Sequence, residues 1–190
     1  MNDLKITQTS IEGLVIIEPH IYEDERGFFM ETYNKQALKK AGIDATFVQD
    51  NRSSSKKGVL RGLHYQKAFP QGKLVSVAKG AVIDVVVDIR KNSRTIGKWF
   101  KIELSAENRM QLYVPMGFAH GFLTIADDTE FVYKCTDYYH PEDECGILWN
   151  DKTLNIDWPI DEIGGESNLI ISSKDKKWND FESIFKEANI

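Results

Sequence analysis

Short β-rich runs follow one another about every ten residues along this chain, with Gly, Asn or Asp between them. GLVIIEPHIY is broken by Pro19, and ERGFFMETYN follows with Phe29 alternating with polar neighbours. ATFVQDN, GVLRGLHYQ, GKLVSVAKG, AVIDVVVDIR, GKWFKIELS, RMQLYVPMG, HGFLTIAD and EFVYKCTDYY continue the series. Such spacing predicts an antiparallel sandwich or barrel. One short helix interrupts it: Asn34 is placed to cap it, Leu38 and Ala41 face inward, and Gly42 ends it. In the tail, DKKWNDFESIFKEANI, the period changes. Trp178, Phe181, Ile184 and Phe185 fall at helical spacing and predict a short amphipathic helix packed on the barrel.

The 190 residues suit one domain with one large core, and 42% apolar with 28% charged residues is the balance of a soluble globule. The expected layout is a single domain over 1–190, with a barrel core over about 14–160 and a helical tail over about 175–190. A net charge of −5 without any Lys/Arg block argues against nucleic acid or an anionic membrane as partner. It leaves room for a small anion held by a few placed cations. MNDLKITQTS lacks the pattern of a signal peptide, and no apolar run approaches the ~20 residues of a membrane span. Cys135 and Cys145 are therefore expected as reduced thiols of a cytoplasmic protein, filling space in its core.

Alternation along AVIDVVVDIR puts Ile83, Val85, Val87 and Ile89 on one face, and Val82, Asp84, Val86, Asp88 and Arg90 on the other. Two carboxylates on so apolar a strand need partners, Arg90 or a polar group lining the barrel. LYVPMGFAHGF contains Pro-x-Gly-x-x-His at Pro115, Gly117 and His120. This resembles the second half-motif of the cupin superfamily, jelly-roll barrels in which such a histidine points inward. Metal-binding cupins carry a His-x-His pair and a glutamate in the earlier half-motif. VLRGLHYQ offers His64 there, but Gln66 stands in the second place. Two imidazoles fall short of the three or four protein ligands that zinc or iron takes, unless Asp84 or Glu144 completes the set, so no metal is expected. His64 remains a base or a core residue, and an ordinary pKa of about 6.5 suits a base near neutrality. EFVYKCTDYY puts Phe131, Tyr133, Cys135, Asp137 and Tyr139 on one face. A tyrosine can return a proton that a histidine removed elsewhere; two tyrosines packing at a barrel mouth is the plainer alternative.

Beyond these motifs, the ordered segments DERGFFMETYN, FVQDN, GVLRGLHYQ, QGKLV, DVVVDIRKNS, GKW, LSAEN, VPMGFAHGF, EFVYKCTDYY, DEC, LWND and LNIDWP closely resemble the dTDP-4-dehydrorhamnose 3,5-epimerase family, from about Leu14 to Asp175. The resemblance implies a mainly β, cupin-like double-stranded jelly-roll β-barrel with a few short helices. It implies conversion of dTDP-4-dehydro-6-deoxy-D-glucose to dTDP-4-dehydro-L-rhamnose by epimerisation at C3 and C5, with no metal and no cofactor. It also implies a homodimer with an exchanged N-terminal strand. His64 resembles the family's general base, Tyr133 the acid on the opposite face, Lys73 the cation beside the C4 oxygen, and Asp175 the carboxylate that orients the histidine, with Asp84 as the fallback for that role. Arg26, Glu31, Gln49, Asp50, Asn51, Arg61, His120, Glu144 and Lys174 match nucleotide-binding positions. Tyr139 matches the aromatic that stacks on thymine. Arg26 and Glu31 would serve the neighbouring subunit's site.

Chemistry supports these assignments separately. Both epimerised carbons flank one carbonyl, so one enolate-stabilising group serves both steps. Inversion needs a base on one face and an acid on the other. A diphosphate gives Arg26, Arg61 and Lys174 a reason to be cationic. A related 3- or 5-epimerase of another dTDP-4-keto-deoxysugar would carry the same His and Tyr, whereas a non-catalytic sugar-nucleotide-binding cupin would lack one of them. Finally, Arg61 and His64 are three apart and leave opposite faces of a regular strand. If both line one pocket, the strand must bend or bulge at Gly62.

Overall fold

The computed structural model describes residues 4–186 of the chain. Its first strands are β1 (Lys5–Gln8), β2 (Val15–Glu18), β3 (Ile21–Asp24), β4 (Gly27–Met30), β5 (Gln49–Ser55), β6 (Val59–Gln66) and β7 (Lys73–Lys79). Then come β8 (Ala81–Asp88), β9 (Trp99–Ser105), β10 (Gln111–Val114), β11 (Phe118–Thr124), β12 (Thr129–Cys135), β13 (Glu144–Gly146) and β14 (Ile170–Ile171). Helix α1 (Lys35–Lys40) precedes β5, and α2 (Ser183–Lys186) follows β14.

Two sheets form the barrel. One runs β1-β2-β10-β7-β12-β5 and the other β13-β6-β11-β8-β9, with antiparallel neighbours throughout. β14 adds to β6 in parallel, and β3 pairs with β4 as a separate hairpin. This is the jelly-roll arrangement that the strand spacing and the cupin-like motif predict.

β8 explains the layering. Val82 and Val86 join Val75, Leu112, Phe122 and Phe131 in the core between the sheets. Ile83, Val85 and Val87 face the other way, into a second core with Leu63, Leu123, Ile147, Leu154 and Trp158. A strand covered on both faces reads as a continuous apolar run, which is why AVIDVVVDIR is so hydrophobic. A third, smaller core lies outside the first sheet, where Leu38 of α1 and Ile43 meet Val15, Ile17 and Leu74. Asn34 caps α1 by accepting from the Gln36 and Ala37 N–H groups, and Gly42 follows with φ +91°.

Several expected boundaries move. β5 begins at Gln49, and Phe47 packs instead on Tyr33, edge to face at 5.6 Å. β12 ends at Cys135, so Asp137 and Tyr139 do not continue its face. Both neighbours stop there: Cys135 pairs with Gln49 at the start of β5 and with Lys73 at the start of β7. β1 precedes the expected core of about 14–160, and β14 follows it. β1 pairs with β2 of its own chain. The tail is not one helix. Asp175–Lys177 form a 3-10 turn, Asn179 bridges to Ile147, and α2 covers the last four described residues. Trp178 lies outside any helix because its indole N–H is committed to Asp175 and the next residue to the barrel backbone. Phe181 and Ile184 do pack on the barrel, in the second core. The side chain of Phe185 and residues 187–190 lie outside the described residues.

Between β6 and β11 the register slips. His120 opposes His64 and Phe122 opposes Arg61, so β6 holds one extra residue in this interval. Gly62 sits within it at φ +129°, and the Gly62–Leu63 peptide is cis. The bulge expected at Gly62 is present, and Arg61 and His64 both open into one cavity while Leu60 and Leu63 enter the core behind.

Asp88 is fully buried at the end of β8, where it meets Arg90 through Nε–H at 2.9 Å and Nη2–H at 2.8 Å and also accepts from Ser93 and Thr95. Burial alone would raise its pKa; the bonds from Arg90, Ser93 and Thr95 outweigh that and bring it down to about 2. A depressed carboxylate adds stability above its unfolded pKa and loses it as pH falls through the folded one. This contribution, on the order of 2 kcal/mol, is complete above about pH 5 and fades toward pH 2. Asp88→Asn should cost about 2–4 kcal/mol in urea unfolding at pH 7 and much less at pH 2.5; an equal cost at both would contradict this account. A Cβ on Gly62 would lie 2.5 Å from Gly121 Cα and 2.9 Å from the His120 carbonyl oxygen. Gly62→Ala should therefore destabilise by roughly 3 kcal/mol or more. A thermal midpoint within about 2 °C of the parent would show that the bulge tolerates a side chain.

Candidate active site

A cavity of about 320 Å³ opens at one end of the barrel, between the two sheets. β6, β11 and β13 bring Arg61, His64, His120 and Glu144 to it from one sheet. β5, β7 and β12 bring Gln49, Asn51, Lys73, Tyr133 and Cys135 from the other, and Tyr139 reaches in from the loop after β12.

Two histidines face each other across the β6–β11 ladder, each with its own aspartate. His64 Nε2 lies 2.7 Å from Asp175 Oδ1. His120 Nε2 lies 2.8 Å from Asp84 Oδ2. Their surroundings differ: the His64 side chain is 29% exposed and that of His120 only 7%. Asp84 is thus committed to His120, and the fallback role for it as partner of His64 is not what the structure contains. Asp175 comes from the 3-10 turn behind β6 and is buried. It also accepts from the Trp178 indole at 3.1 Å and from the Gly62 N–H at 3.4 Å. Burial would raise its pKa, but the bonds from His64, Trp178 and Gly62 carry it below the usual carboxylate range. An ionised carboxylate can only accept, so His64 Nε2 carries the proton and Nδ1 the lone pair.

On the opposite wall, no acceptor among the described residues bonds the Lys73 ammonium. Burial pushes its pKa down, against the pull of Cys135, Asp84 and Glu144. The Tyr133 hydroxyl also has no hydrogen-bond partner among the described residues, and burial pushes its pKa up. Both groups are therefore available to something placed between the sheets. At the rim, Glu144 accepts from the Tyr139 hydroxyl and the Lys174 ammonium. Burial raises the Glu144 carboxyl less than Lys174, Tyr139 and His64 lower it, while the bond to Glu144 pushes Tyr139 up to about 12. Gln49 takes the Tyr139 backbone N–H and donates to Asn51. Arg61 is held by the Ser55 hydroxyl at 3.3 Å.

Three of the expected binding residues are elsewhere. Asp50 alternates away from Gln49 and Asn51 on β5 and pairs with Lys134 on the outer face, so its expected place in the pocket is corrected. Arg26 is on the β3–β4 hairpin, bonded to Asp24, and Glu31 accepts from Asn34. Neither lines the cavity of its own chain. The hairpin instead exposes Tyr22, Phe28 and Phe29, the last by 66%.

Two contributors escaped sequence reasoning. Gln66 is buried, accepting from the His140 N–H at 2.8 Å and donating to the Phe69 and Tyr138 carbonyls. It ties together the two loops that frame the cavity, a role its place beside His64 hints at but cannot specify. Trp178 joins the His64–Asp175 pair, and its position three residues after Asp175 was the only signal. Among the described residues, no three His, Cys, Asp or Glu side chains are grouped to hold a metal ion.

Residues 8–183 match the family described as dTDP-4-dehydrorhamnose 3,5-epimerase. The enzyme of that name from Methanothermobacter thermautotrophicus is 51% identical over 178 residues, 94% of this chain and 95% of the relative. The dTDP-6-deoxy-D-glucose-3,5-epimerase of Legionella pneumophila, solved with dTDP-4-keto-L-rhamnose, superposes with a TM-score of 0.90 at 50% identity, covering 97% of this chain and 96% of that one. ChmJ, a 3'-monoepimerase from Streptomyces bikiniensis solved with dTDP-quinovose, has a TM-score of 0.86 at 33% identity, over 95% of this chain and 89% of its own. By the extent of the match and the identity behind it, this chain belongs to the dTDP-4-dehydrorhamnose 3,5-epimerase family.

Proposed function

We propose that His64 and Tyr133 work on opposite faces of a 4-keto sugar held between the two sheets. The chain is an epimerase that converts dTDP-4-dehydro-6-deoxy-D-glucose to dTDP-4-dehydro-L-rhamnose, inverting C3 and C5. The observation that carries the residue assignment is the opposition of an oriented imidazole on β6 to an unpaired ammonium and an unpaired phenol on β7 and β12.

His64 Nδ1 takes the proton from the carbon beside the C4 carbonyl, and Asp175 stabilises the imidazolium that forms. The electron pair moves onto the C4 oxygen, where Lys73 supplies a positive charge in a site shielded from water. Tyr133, kept protonated by its raised pKa, gives its hydroxyl proton to the opposite face of the carbon. Inversion results because the two protons travel on different sides. The carbonyl itself provides the electron sink for both carbons, so these steps call for no cofactor.

Arg61 and Lys174 suit the diphosphate, Tyr139 the face of the thymine, and Gln49, Asn51, His120 and Glu144 the remaining polar groups. Arg26 and Glu31 reach such a site only from a second copy of the chain. We infer a homodimer in which the β3–β4 hairpin, with its exposed aromatics, is the exchanged N-terminal element. The whole chain acts as one epimerase domain. No helix among the described residues is long and apolar enough to cross a membrane, and neither cysteine is in a disulfide, which suits the cytoplasm.

Incubation with dTDP-4-keto-6-deoxy-D-glucose in deuterated water should place deuterium at both C3 and C5, read by NMR or mass spectrometry. Uptake at one carbon only would move the protein to the monoepimerases. His64→Asn should lower exchange at both carbons by about 10³-fold; persisting exchange would remove His64 as the base. Tyr133→Phe should leave the first proton removal within about tenfold of the parent while product formation falls by 10²-fold or so. Equal loss of both would count against the opposed-face scheme.

A further inference from the structure

The tail aromatics were expected only to pack, yet the Trp178 indole is joined to the catalytic pair. Its Nε1–H donates to Asp175 Oδ1 over 3.1 Å, the same oxygen that accepts from His64 at 2.7 Å. The indole meets the imidazole edge to face, with centroids 6.0 Å apart at 74°. It also lies on the backbone of Gly146, the residue opposite His64 in the β6–β13 ladder. A Cβ there would come within 2.5 Å of indole Cδ2, Cε2 and Nε1.

We propose that Trp178 is a positioning residue that locks the Asp175 carboxylate against His64. This rests on the reading of His64 as the base. Asp175 belongs to a three-residue turn, and the indole N–H fixes the rotation of its carboxylate about the side-chain bonds. Gly146, by having no side chain, leaves the indole the room it needs. The bond also has an electrostatic effect. Each donor on a carboxylate takes part of the charge that would otherwise stabilise the imidazolium. Deleting the indole N–H leaves more of that charge for the imidazolium.

Other charged groups surround the imidazole. Glu144 faces it from β13 and is tied to Lys174. Arg61 shares β6, His120 with its Asp84 partner comes from β11 and β8, and Lys73 and Tyr133 line the opposite wall. None of these donates to the Asp175 carboxylate. Of these groups Lys174 also touches the indole, with its ammonium 5.4 Å from the ring centroid. A phenyl ring in place of the indole would keep that contact and the packing on Gly146.

Trp178→Phe therefore removes the donor and keeps a ring. We expect kcat to fall about tenfold with KM within about twofold of the parent. The acidic limb of the kcat/KM profile should move up by about half a pH unit. An unmoved limb with unchanged kcat would overturn the proposal, and so would a loss confined to KM or explained by a fall in thermal midpoint. A second measurement covers a variant that fails to fold. In 15N-labelled protein, one indole N–H resonance should shift in Asp175→Asn and in His64→Asn; four indole resonances indifferent to both would overturn the hydrogen bond. The two readings separate cleanly. Persisting proton exchange in His64→Asn removes the base, while the indole resonance still decides the Trp178–Asp175 contact.

Discussion

A contact between two glycines across neighbouring strands determines where the chemistry can sit. Gly62 on β6 and Gly121 on β11 approach so closely that a Cβ on either would meet the other's backbone within 3.0 Å. That approach accommodates the extra residue in β6. On a regular strand Arg61 and His64 would face opposite ways, and the cation and the base would serve different compartments. With the bulge, both open into the cavity, while Leu60 and Leu63 fill the core behind it. The Gly62 N–H, freed from regular pairing, is also one of the donors to Asp175. A single backbone irregularity thus aims the imidazole, brings a guanidinium into the same cavity and helps hold the carboxylate.

The two His–Asp pairs show how burial divides one chemistry into two roles. Both lie on the same ladder, and both carboxylates are buried. The His120 imidazole is enclosed and stacked 6.1 Å from Phe131, so it stiffens the cavity floor and offers its remaining nitrogen in a fixed direction. His64 is open enough to meet a substrate. Around them a chain of net charge −5 gathers Arg61, Lys73 and Lys174 at one end of the barrel. Positive charge converges locally here, which total charge does not report.

Much of this was legible in the sequence, and the rest was not for definite reasons. The alternation of Val82 to Ile89 revealed both faces of β8, because two cores press on it. Asn34 and Gly42 marked the ends of α1 through local chemistry alone. The three-residue spacing of Arg61 and His64 foretold the bulge once both were placed in one pocket. By contrast, the end of β12 depends on where its neighbours stop, a tertiary fact invisible in EFVYKCTDYY. Helical spacing of the tail aromatics misled because Trp178 is held by a hydrogen bond to Asp175 and not by a helix. Asp50 carried a family expectation into a position that strand alternation turns outward. Gln66 looked like a missing metal ligand; its amide is in fact a brace between loops.

The carboxylate that orients His64 lies 111 residues further along the chain, beyond the last strand. The barrel and the competence of its base therefore belong to different stretches of polypeptide. A chain cut just before Asp175 would still contain every strand described, with the cavity walls complete and the imidazole unanchored. During synthesis the same order holds: β14 emerges before the turn that carries Asp175. A protease that trims this end would take away the partner of His64 and, with Phe181 and Ile184, part of the second core.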